Sequence, residues 1–369
     1  MINKHIRNYS YNSLILFLIL AAALCFAVSC ALPESGQEQR QSYDPNLGGW
    51  RTASWSPFTV EDTVNAFAFG NDRYVAVSGT GVIGWSADGD IWHRANINPD
   101  FKAGLNGVAY GDGMFVAVGN GGIFAWSENG EDWTGSEAVM SGFGTEDICG
   151  ITWGAGYFVV VGDNSNISVS ANGINWKGCR DQNFNGVRLN DIAFDSENGN
   201  FYVVGNGGRR GWTDAGSLAN WFRAGNPATD NYGWNPRGGP QDPPFYNSDD
   251  LTSVAAGRYR DGPGIGVVSG SRIAIATLAD FSGFDADLEA FLLNNNQMNR
   301  IAWGGGYFVV AGTSAMIGHW HSADPSNNGA RVWMAYSFSD FKKWEISALE
   351  ACNGRFFIGN VGGKIGYSK

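Results

Sequence analysis

The chain has 369 residues, a formal net charge of −11, and 53 glycines together with 15 tryptophans and 23 phenylalanines. Its acidic balance argues against nucleic acid and anionic lipid surfaces as partners, because both require clustered Lys and Arg. The aromatic content excludes a disordered glycine-rich chain, and the glycines lack the every-third-residue spacing of collagen. Many glycines, many aromatics and short Val/Ile runs favour numerous short strands joined by tight turns.

The N-terminal segment has the layout of an export signal. A positive stretch precedes the apolar run 14–28, which is short for a stable membrane span, and small residues then lead to Cys30. This end resembles the lipobox of bacterial lipoproteins, in which the cysteine carries lipid, although Ala27 stands where that family usually has Leu. We therefore expect a signal peptide over 1–29 and lipidation at Cys30, which anchors the exported protein in the cell envelope, at the outer membrane or cell surface rather than the inner membrane. An ordinary signal peptide with an incidental cysteine is the alternative.

Residues 30–47 are polar and contain Pro and Gly, so we expect a flexible tether between the lipid and a folded domain over 48–369. Cys149, Cys179 and Cys352 are the cysteines of that domain, and their odd number excludes a fully paired disulfide framework. A bridge between Cys149 and Cys179 stays open, although their repeat positions favour different strands. We expect mostly free, buried thiols.

A repeated pattern organises the folded domain. Each unit contains an apolar run, a glycine turn, a second apolar run, another glycine turn and a closing tryptophan. The full copies are the segments 65–92, 106–133, 149–176 and 190–221. Their closing tryptophans are Trp92, Trp133, Trp176 and Trp221. Their spacing is typical of propeller blades. Degenerate copies begin at Leu251, Asn299 and Ile346, and the second of them closes at Trp344, which makes seven units.

The repeat predicts an all-β fold, a seven-bladed β-propeller of four-stranded blades. In the second unit we expect strands at 107–110, 114–118 and 123–126, and an outer strand that begins near Trp133. The last unit supplies only three strands, and the segment around Trp50 resembles the missing fourth. Pairing that segment with the last unit closes the ring and removes two exposed sheet edges.

Three turns, which begin at Ser86, Ser127 and Ser170, resemble the Asp-box of sialidase (BNR) repeats, with a spacing one residue shorter and with Asn in place of Asp in two of them. In such families the Ser and Asp side chains bind backbone amides of the turn, and the Trp packs between blades. In those families the motif lies on the face of the propeller away from the active site. The resemblance therefore implies a structural role for Ser86, Asp88, Trp92, Ser127, Trp133, Ser170 and Trp176.

The resemblance to sialidases does not extend to their chemistry. That chemistry requires an arginine triad, a tyrosine nucleophile with a glutamate, and an acid/base aspartate. The Arg-Ile-Pro signature is absent, and Arg300 begins the nearest string. Nothing in the sequence indicates that Arg188, Arg209, Arg258, Arg272 and Arg300 converge. A sialidase-like glycoside hydrolase stays an alternative function. The repeats also resemble those of photosystem II assembly proteins, so an assembly factor for an envelope complex is a further alternative function.

Two sets of residues are candidates for ligand binding. The long connection 223–250 carries aromatic and charged side chains of the kind used for glycan or peptide recognition. The candidates in it are Tyr232, Trp234, Arg237 and Tyr246. Packing of this loop onto a neighbouring blade is the alternative. The second set recurs where inner strands begin, near the mouth of the central channel, and comprises Asn65, Asn106, Asn190 and Asn299. A ring of amides there suits a polar ligand, and hydrogen bonds to backbone groups of the preceding turn are the alternative.

No cofactor is indicated. His319 and His321 share one strand face, but no His or Cys near them in sequence supplies the further ligands of a metal site. No glycine-rich string opens a helix as a phosphate-binding loop does. The segment 280–297 suits a short helical cap, and 321–332 is a third long connection. The sequence therefore favours a non-enzymatic binding module for a glycan, a peptide or a protein, without a preferred oligomeric state.

Overall fold

The domain is a closed ring of seven small β-sheets. The computed structural model describes residues 49–98, 103–136, 138–224, 234–237, 249–259, 262–270, 272–277, 297–321, 334–341 and 344–368. Each innermost strand contacts the innermost strands of two neighbouring sheets, and the last contacts the first. The predicted seven-bladed β-propeller is therefore confirmed.

Each blade is built from strands in sequence order, from the central channel outwards. The inner strands are β2 (Val64–Gly70), β7 (Leu105–Gly111), β11 (Ile148–Gly154), β15 (Leu189–Asp195), β19 (Ser253–Tyr259), β22 (Met298–Gly304) and β26 (Ile346–Cys352). The second strands are β3 (Arg73–Ser78), β8 (Met114–Gly119), β12 (Tyr157–Gly162), β16 (Asn200–Gly205), β20 (Gly262–Ser269), β23 (Tyr307–Gly312) and β27 (Arg355–Asn360). The second strands are buried on both faces, which explains their near-continuous apolar sequence.

The outer half of each blade is shorter. The third strands are β4 (Ile83–Ser86), β9 (Phe124–Ser127), β13 (Asn166–Ser170), β17 (Arg210–Asp214), β21 (Arg272–Thr277), β24 (Met316–His321) and β28 (Ile365–Ser368). The outer strands are β5 (His93–Arg94), β10 (Asp132–Gly135), β14 (Lys177–Arg180), β18 (Asn235–Arg237), β25 (Met334–Ser337) and β1 (Trp50–Thr52). Blade 1 comprises β2 to β5, and blades 2 to 6 follow in chain order. Blade 7 comprises β26 to β28 and β1.

Two blades depart from four strands. Blade 2 gains β6 (Asn96–Asn98), which follows the outer strand of blade 1 and pairs in parallel with β10. Blade 5 has three strands among the residues that the structure describes. Short 3-10 helices lie in the connections and are Asn120–Gly122, Asp163–Ser165, Gln182–Phe184, Thr313–Ala315 and Ser339–Phe341.

The N-terminal strand closes the ring, as predicted. Strand β1 pairs antiparallel with β28, and Trp50 lies opposite Ser368. The carboxylate of Asp90 in blade 1 then accepts hydrogen bonds from the Ser54 amide at 3.0 Å, the Ser54 hydroxyl at 2.7 Å and the Tyr367 hydroxyl at 3.1 Å. The closing segment is thus joined to both blades that flank the gap, and β28 gains the pairing partner that the last unit lacks.

Neighbouring blades pack through glycines that the sequence analysis did not single out. The ring of Trp153 in blade 3 lies flat against the backbone of Gly111 in blade 2, where a Cβ atom would come within 2.0 Å of the indole. Tyr110 covers Gly70 and Phe194 covers Gly154 in the same way. A side chain at these glycines would therefore separate the blades.

The structure corrects two predicted outer strands. In blade 4, helix α1 (Ala215–Ala224) replaces the expected turn, and the Asp214 carboxylate accepts hydrogen bonds at its start from the Ser217 amide at 2.9 Å and hydroxyl at 2.7 Å. The outer strand comes later, at β18, and not at Trp221. In blade 6 the outer strand β25 precedes Trp344, which instead lies in the connection to blade 7. Long insertions moved both strands away from the expected spacing.

Several expectations concern residues outside the described ranges. These are the export signal, Cys30 and the tether, the segment 280–296 and most of 321–332. Cys149 and Cys352 are free, so no bridge joins Cys149 to Cys179. Cys352 is buried and Cys149 partly so. Among the described residues, no helix is long and apolar enough to cross a membrane.

Candidate functional site

The recurring asparagines at the channel mouth join neighbouring blades. The Nδ2 atom of Asn65 donates to the carbonyl of Leu105 at 2.7 Å, and that of Asn106 donates to the carbonyl of Ile148 at 2.8 Å. Asn190 donates to the carbonyl of Leu251 at 2.8 Å. In each pair the acceptor lies where the inner strand of the following blade begins, and not in the preceding turn.

Blades 6 and 7 use the same position differently. The Nδ2 atom of Asn299 donates to the Glu345 carboxylate, and the Ser347 hydroxyl donates to the carbonyl of Val64 at 2.7 Å. The Ser347 contact joins the last blade to the first. Because these donors are engaged between blades, the amide ring contributes to the scaffold of the mouth.

The candidates in the long connection lie in different environments. Tyr232 and Tyr246 fall outside the described residues, and Arg237 belongs to the outer strand β18. Trp234 is 2% exposed and packs with its ring edge-on to Phe184, with centroids 6.2 Å apart. Its indole lies in the core between blades 3 and 4, where the closing tryptophans of other blades lie. Trp234 therefore offers no exposed ring to a ligand.

A charged cluster occupies the channel mouth between blades 2 and 4. Nη1 of Arg188 lies 2.8 Å from the Asp163 carboxylate and 3.9 Å from that of Asp147. The other Asp147 oxygen accepts from the Gly121 amide at 2.9 Å. The side chains of Arg188, Asp147 and Asp163 stay 40%, 36% and 25% exposed. Guanidinium and carboxylate groups are thus presented together to solvent.

A second polar group lies inside the channel wall. The Asp191 carboxylate accepts from the Ser253 hydroxyl at 2.8 Å and from the Val254 amide at 3.0 Å. Burial raises the pKa of Asp191 above its ordinary value, against the opposite effect of these hydrogen bonds and of Arg300. Arg300 donates to the Asn299 carbonyl at 3.0 Å, and burial lowers its pKa against the charges of Asp191 and Glu345.

The channel wall is therefore asymmetric. The third residue of the inner strand is polar in blades 4 and 6, where it is Asp191 and Arg300. In blade 5 the polar Ser253, which opens the inner strand, lies at the corresponding register. The other blades hold small residues there, namely Ala66, Gly107, Gly150 and Ala348. This contrast was not predicted from the sequence, although a position-by-position alignment of the seven units reveals it.

The carboxylates, the thiol and the imidazole in this region that catalysis could use are paired with Arg188 or largely buried. Asp147 and Asp163 are close together, but both contact the same arginine. Burial raises the pKa of the Cys149 thiol to about 12, so the thiol stays protonated and is a poor nucleophile. His319 is buried, and within the described ranges no group of three His, Cys, Asp or Glu side chains is placed to hold a metal ion.

The turns at the opposite end of the blades share one hydrogen-bond pattern. The Ser86 hydroxyl accepts from the Gly89 amide at 2.9 Å, and the Asp88 carboxylate accepts from the Asp90 amide at 2.8 Å. Nε1 of Trp92 donates to the Gly89 carbonyl at 3.0 Å. Burial acts to raise the pKa of Asp88, but hydrogen bonds outweigh it and hold that pKa below its ordinary value. The turns of Ser127 with Trp133 and of Ser170 with Trp176 repeat the pattern, with Asn129 and Asn172 in place of Asp88.

Comparison with known proteins finds the fold alone. No family model and no curated protein matches the chain. YCF48 from Cyanidioschyzon merolae is 14% identical with a TM-score of 0.62, over 87% of this chain and 98% of that one. YCF48 bound to D1 peptide is 15% identical with a TM-score of 0.62, over 88% of this chain and 96% of that one. The WD40 β-propeller domain of Doa1 is 12% identical with a TM-score of 0.57, over 86% of this chain and 95% of that one. Three solved propellers are thus similar to this chain over nearly their whole length.

Proposed function

We propose that this chain is an exported, lipid-anchored β-propeller that holds a peptide segment of a partner protein at its channel mouth and catalyses no reaction. The observation that carries the proposal is the similar propeller YCF48, which was solved with D1 peptide bound and matches 88% of this chain. A propeller of this kind is a rigid ring whose connections at one face are free to vary, which suits it to binding.

The charges at the mouth support a peptide as the ligand. Arg188, Asp147 and Asp163 present both signs of charge in a partly exposed group. A peptide carries backbone donors and acceptors and side chains of either charge, so it can pair with such a group. Nucleic acid would need a predominance of cations, which this acidic chain lacks.

Peptide binding is tested by panning a phage-displayed random peptide library on the purified full chain carrying Cys30→Ala. We expect peptides to be enriched, and Arg188→Ala to weaken their binding about tenfold or more by calorimetry, because a charge-assisted hydrogen bond is lost. Arg258→Ala is the matched control. Arg258 also pairs with a carboxylate, that of Glu197 at 2.7 Å, and is 51% exposed, but it lies at the far end of its inner strand. Failure to enrich any peptide, or equal binding by both variants, contradicts the proposal.

The lipid anchor is tested separately in a bacterial host. We expect the full chain to incorporate an alkyne-tagged fatty acid and to fractionate with membranes. Cys30→Ala should lose the label, because the acceptor thiol is removed. Cys25→Ala, a change within the predicted signal peptide, should keep it. Label retained by Cys30→Ala, or lost with Cys25→Ala, contradicts lipidation at Cys30 and leaves the peptide proposal untouched.

A further inference from the structure

A row of aromatic side chains crosses the outer half of blade 1. His93 lies between two tryptophans, with its ring centroid 4.7 Å from that of Trp85 and 6.3 Å from that of Trp55. Trp85 and His93 are direct partners across β4 and β5, and Trp55 bridges in parallel to Ile91, two residues before His93. Because side chains alternate along strands, these groups share one face of the blade. We call Trp85, His93 and Trp55 the aromatic row.

The aromatic row ends in a tryptophan that stays in water. Trp55 is 53% exposed, and its neighbour Ile91 is 47% exposed. Single exposed apolar side chains are common, whereas contiguous exposed apolar surface is typical of binding sites. The backbone of Trp55 is fixed by two hydrogen bonds, from its amide to the Asp90 carbonyl and from the Trp92 amide to its carbonyl at 3.1 Å. The backbone that carries the exposed indole is thus fixed before a ligand binds, so binding has to order only the side chain.

Polar groups border the aromatic row. The Arg73 guanidinium stacks over Trp85 at 5.2 Å and forms an ion pair with Glu131 of blade 2 at 3.0 Å. The Asn96 amide donates to the Glu131 carbonyl at 2.9 Å, which joins the segment after His93 to the edge of blade 2. The side chains of Asn96 and Asp132 are exposed along that edge. A ligand that lies on the aromatic row therefore meets amide and carboxylate groups at its side.

We propose that the aromatic row is a binding platform for a neutral oligosaccharide. A pyranose ring has an apolar C–H face that stacks on an indole and a rim of hydroxyls that both donate and accept hydrogen bonds. Glu131 already accepts from Arg73. Asp132 accepts from Asn96 and Asn129. Both carboxylates are at least partly exposed and keep lone pairs that can accept further hydrogen bonds from a ligand. Sugar hydroxyls supply donors for these bonds, whereas a proline-rich peptide lacks most backbone N–H groups.

The platform is separate from the channel mouth. Ile91 belongs to the turn between the third and outer strands, whereas the mouth is formed by the turns between the second and third strands. The two ends of a strand point to opposite faces of the ring. Glycan binding at blade 1 and peptide binding at the mouth therefore stand or fall independently.

The test titrates the full chain carrying Cys30→Ala with cellohexaose, chitohexaose and maltohexaose, followed by tryptophan fluorescence and calorimetry. We expect at least one sugar to bind and to change the emission. Trp55→Ala should weaken that binding about three- to tenfold or more, through the loss of stacking, and Trp55→Phe should weaken it less. Because Trp55 is half-exposed, its variants should keep the melting temperature of the parent chain.

The matched control is Ile174→Ala. Ile174 is 37% exposed in the corresponding turn of blade 3, where Lys177 and not an aromatic residue opens the outer strand. Its replacement should leave sugar binding unchanged. The proposal is overturned if none of the three sugars binds, if Trp55→Ala binds as tightly as the parent, or if a proline-rich peptide binds through Trp55 in place of a sugar.

Discussion

Blades 1 to 3 and blades 4 to 6 differ in the turns that close them and in the residues on their channel side. In the first three, one kind of turn closes each blade, a closing tryptophan donates its indole N–H to that turn, and the channel side carries small residues or glycine. In blades 4 to 6 the described residues include helix α1 in place of one turn, and the channel side carries Asp191, Ser253 and Arg300. The regular half is built from local repeats, and the irregular half holds polar groups where the regular half has small residues.

This difference separates blades that repeat a stabilising turn from blades that carry insertions and polar groups. A repeated turn adds stability to each blade, and neighbouring blades add their interfaces. Once a closed ring is stable, some blades can carry insertions and buried charge whose cost the others offset. The charged cluster at the mouth lies where the two halves meet, between Asp147 of the regular half and Arg188 at the start of blade 4.

The largest expected effect is the loss of a closing tryptophan. Trp133→Ala should lower the free energy of unfolding by about 3–5 kcal/mol, because a fully packed indole leaves a cavity between blades 1 and 2. Trp234→Ala should cost a similar amount, because Trp234 packs in the core between blades 3 and 4. Chemical unfolding followed by circular dichroism measures both. A cost below about 1 kcal/mol for Trp234→Ala would contradict the placement of Trp234 in the core.

The glycine contact between blades gives the next largest effect. Gly111→Ala should lower the free energy of unfolding by about 1–3 kcal/mol, because its Cβ would overlap the Trp153 ring. Gly262→Ala in blade 5 is the control, since nothing lies within 4 Å of a Cβ there. It should be neutral or slightly stabilising, through lower entropy of the unfolded chain. Equal losses of unfolding free energy at both positions would show that the overlap with the Trp153 ring does not determine the effect.

A smaller contrast concerns the indole N–H groups. Nε1 of Trp133 donates to the Gly130 carbonyl at 2.9 Å, whereas Nε1 of Trp234 is buried without an acceptor among the described residues. Trp133→Phe loses a hydrogen bond, but Trp234→Phe removes an unpaired polar group. We expect Trp133→Phe to cost about 1 kcal/mol more than Trp234→Phe in unfolding experiments. The reverse order would contradict the contrast between the two halves.

The smallest effect is a difference in pH dependence. The lowered pKa of Asp88 adds stability above the ordinary carboxyl range, which is lost as pH falls through the folded-state pKa. The raised pKa of Asp191 acts in the opposite sense, because its contribution is lost as pH rises from the ordinary value to the folded-state value. Between about pH 3 and 7, Asp88→Asn should therefore lose stability relative to the parent as pH rises, and Asp191→Asn should gain it. Urea unfolding across that range measures both slopes, and slopes of one sign would contradict the assignment.

The repeat in the sequence predicted the fold because its signals are local. Glycine turns such as Asp112-Gly113, with φ of 47° and 79°, and short apolar runs specify hairpins over a few residues. The unpaired last unit and the segment around Trp50 then predicted ring closure, because open sheet edges are unfavourable. The same reasoning misplaced the outer strands of blades 4 and 6, where insertions broke the spacing that it relied on.

The candidate site was decided by tertiary structure. Arg188 meets Asp163 and Asp147 only because blades 3 and 4 come together at the channel mouth, and nothing within any single unit indicates the contact. The aromatic row likewise needs the closing segment to bring Trp55 beside His93. Trp234 reads as a loop aromatic in the sequence, yet the fold buries it. Local periodicity determines strands and turns, whereas side chains distant in sequence meet only when the ring closes.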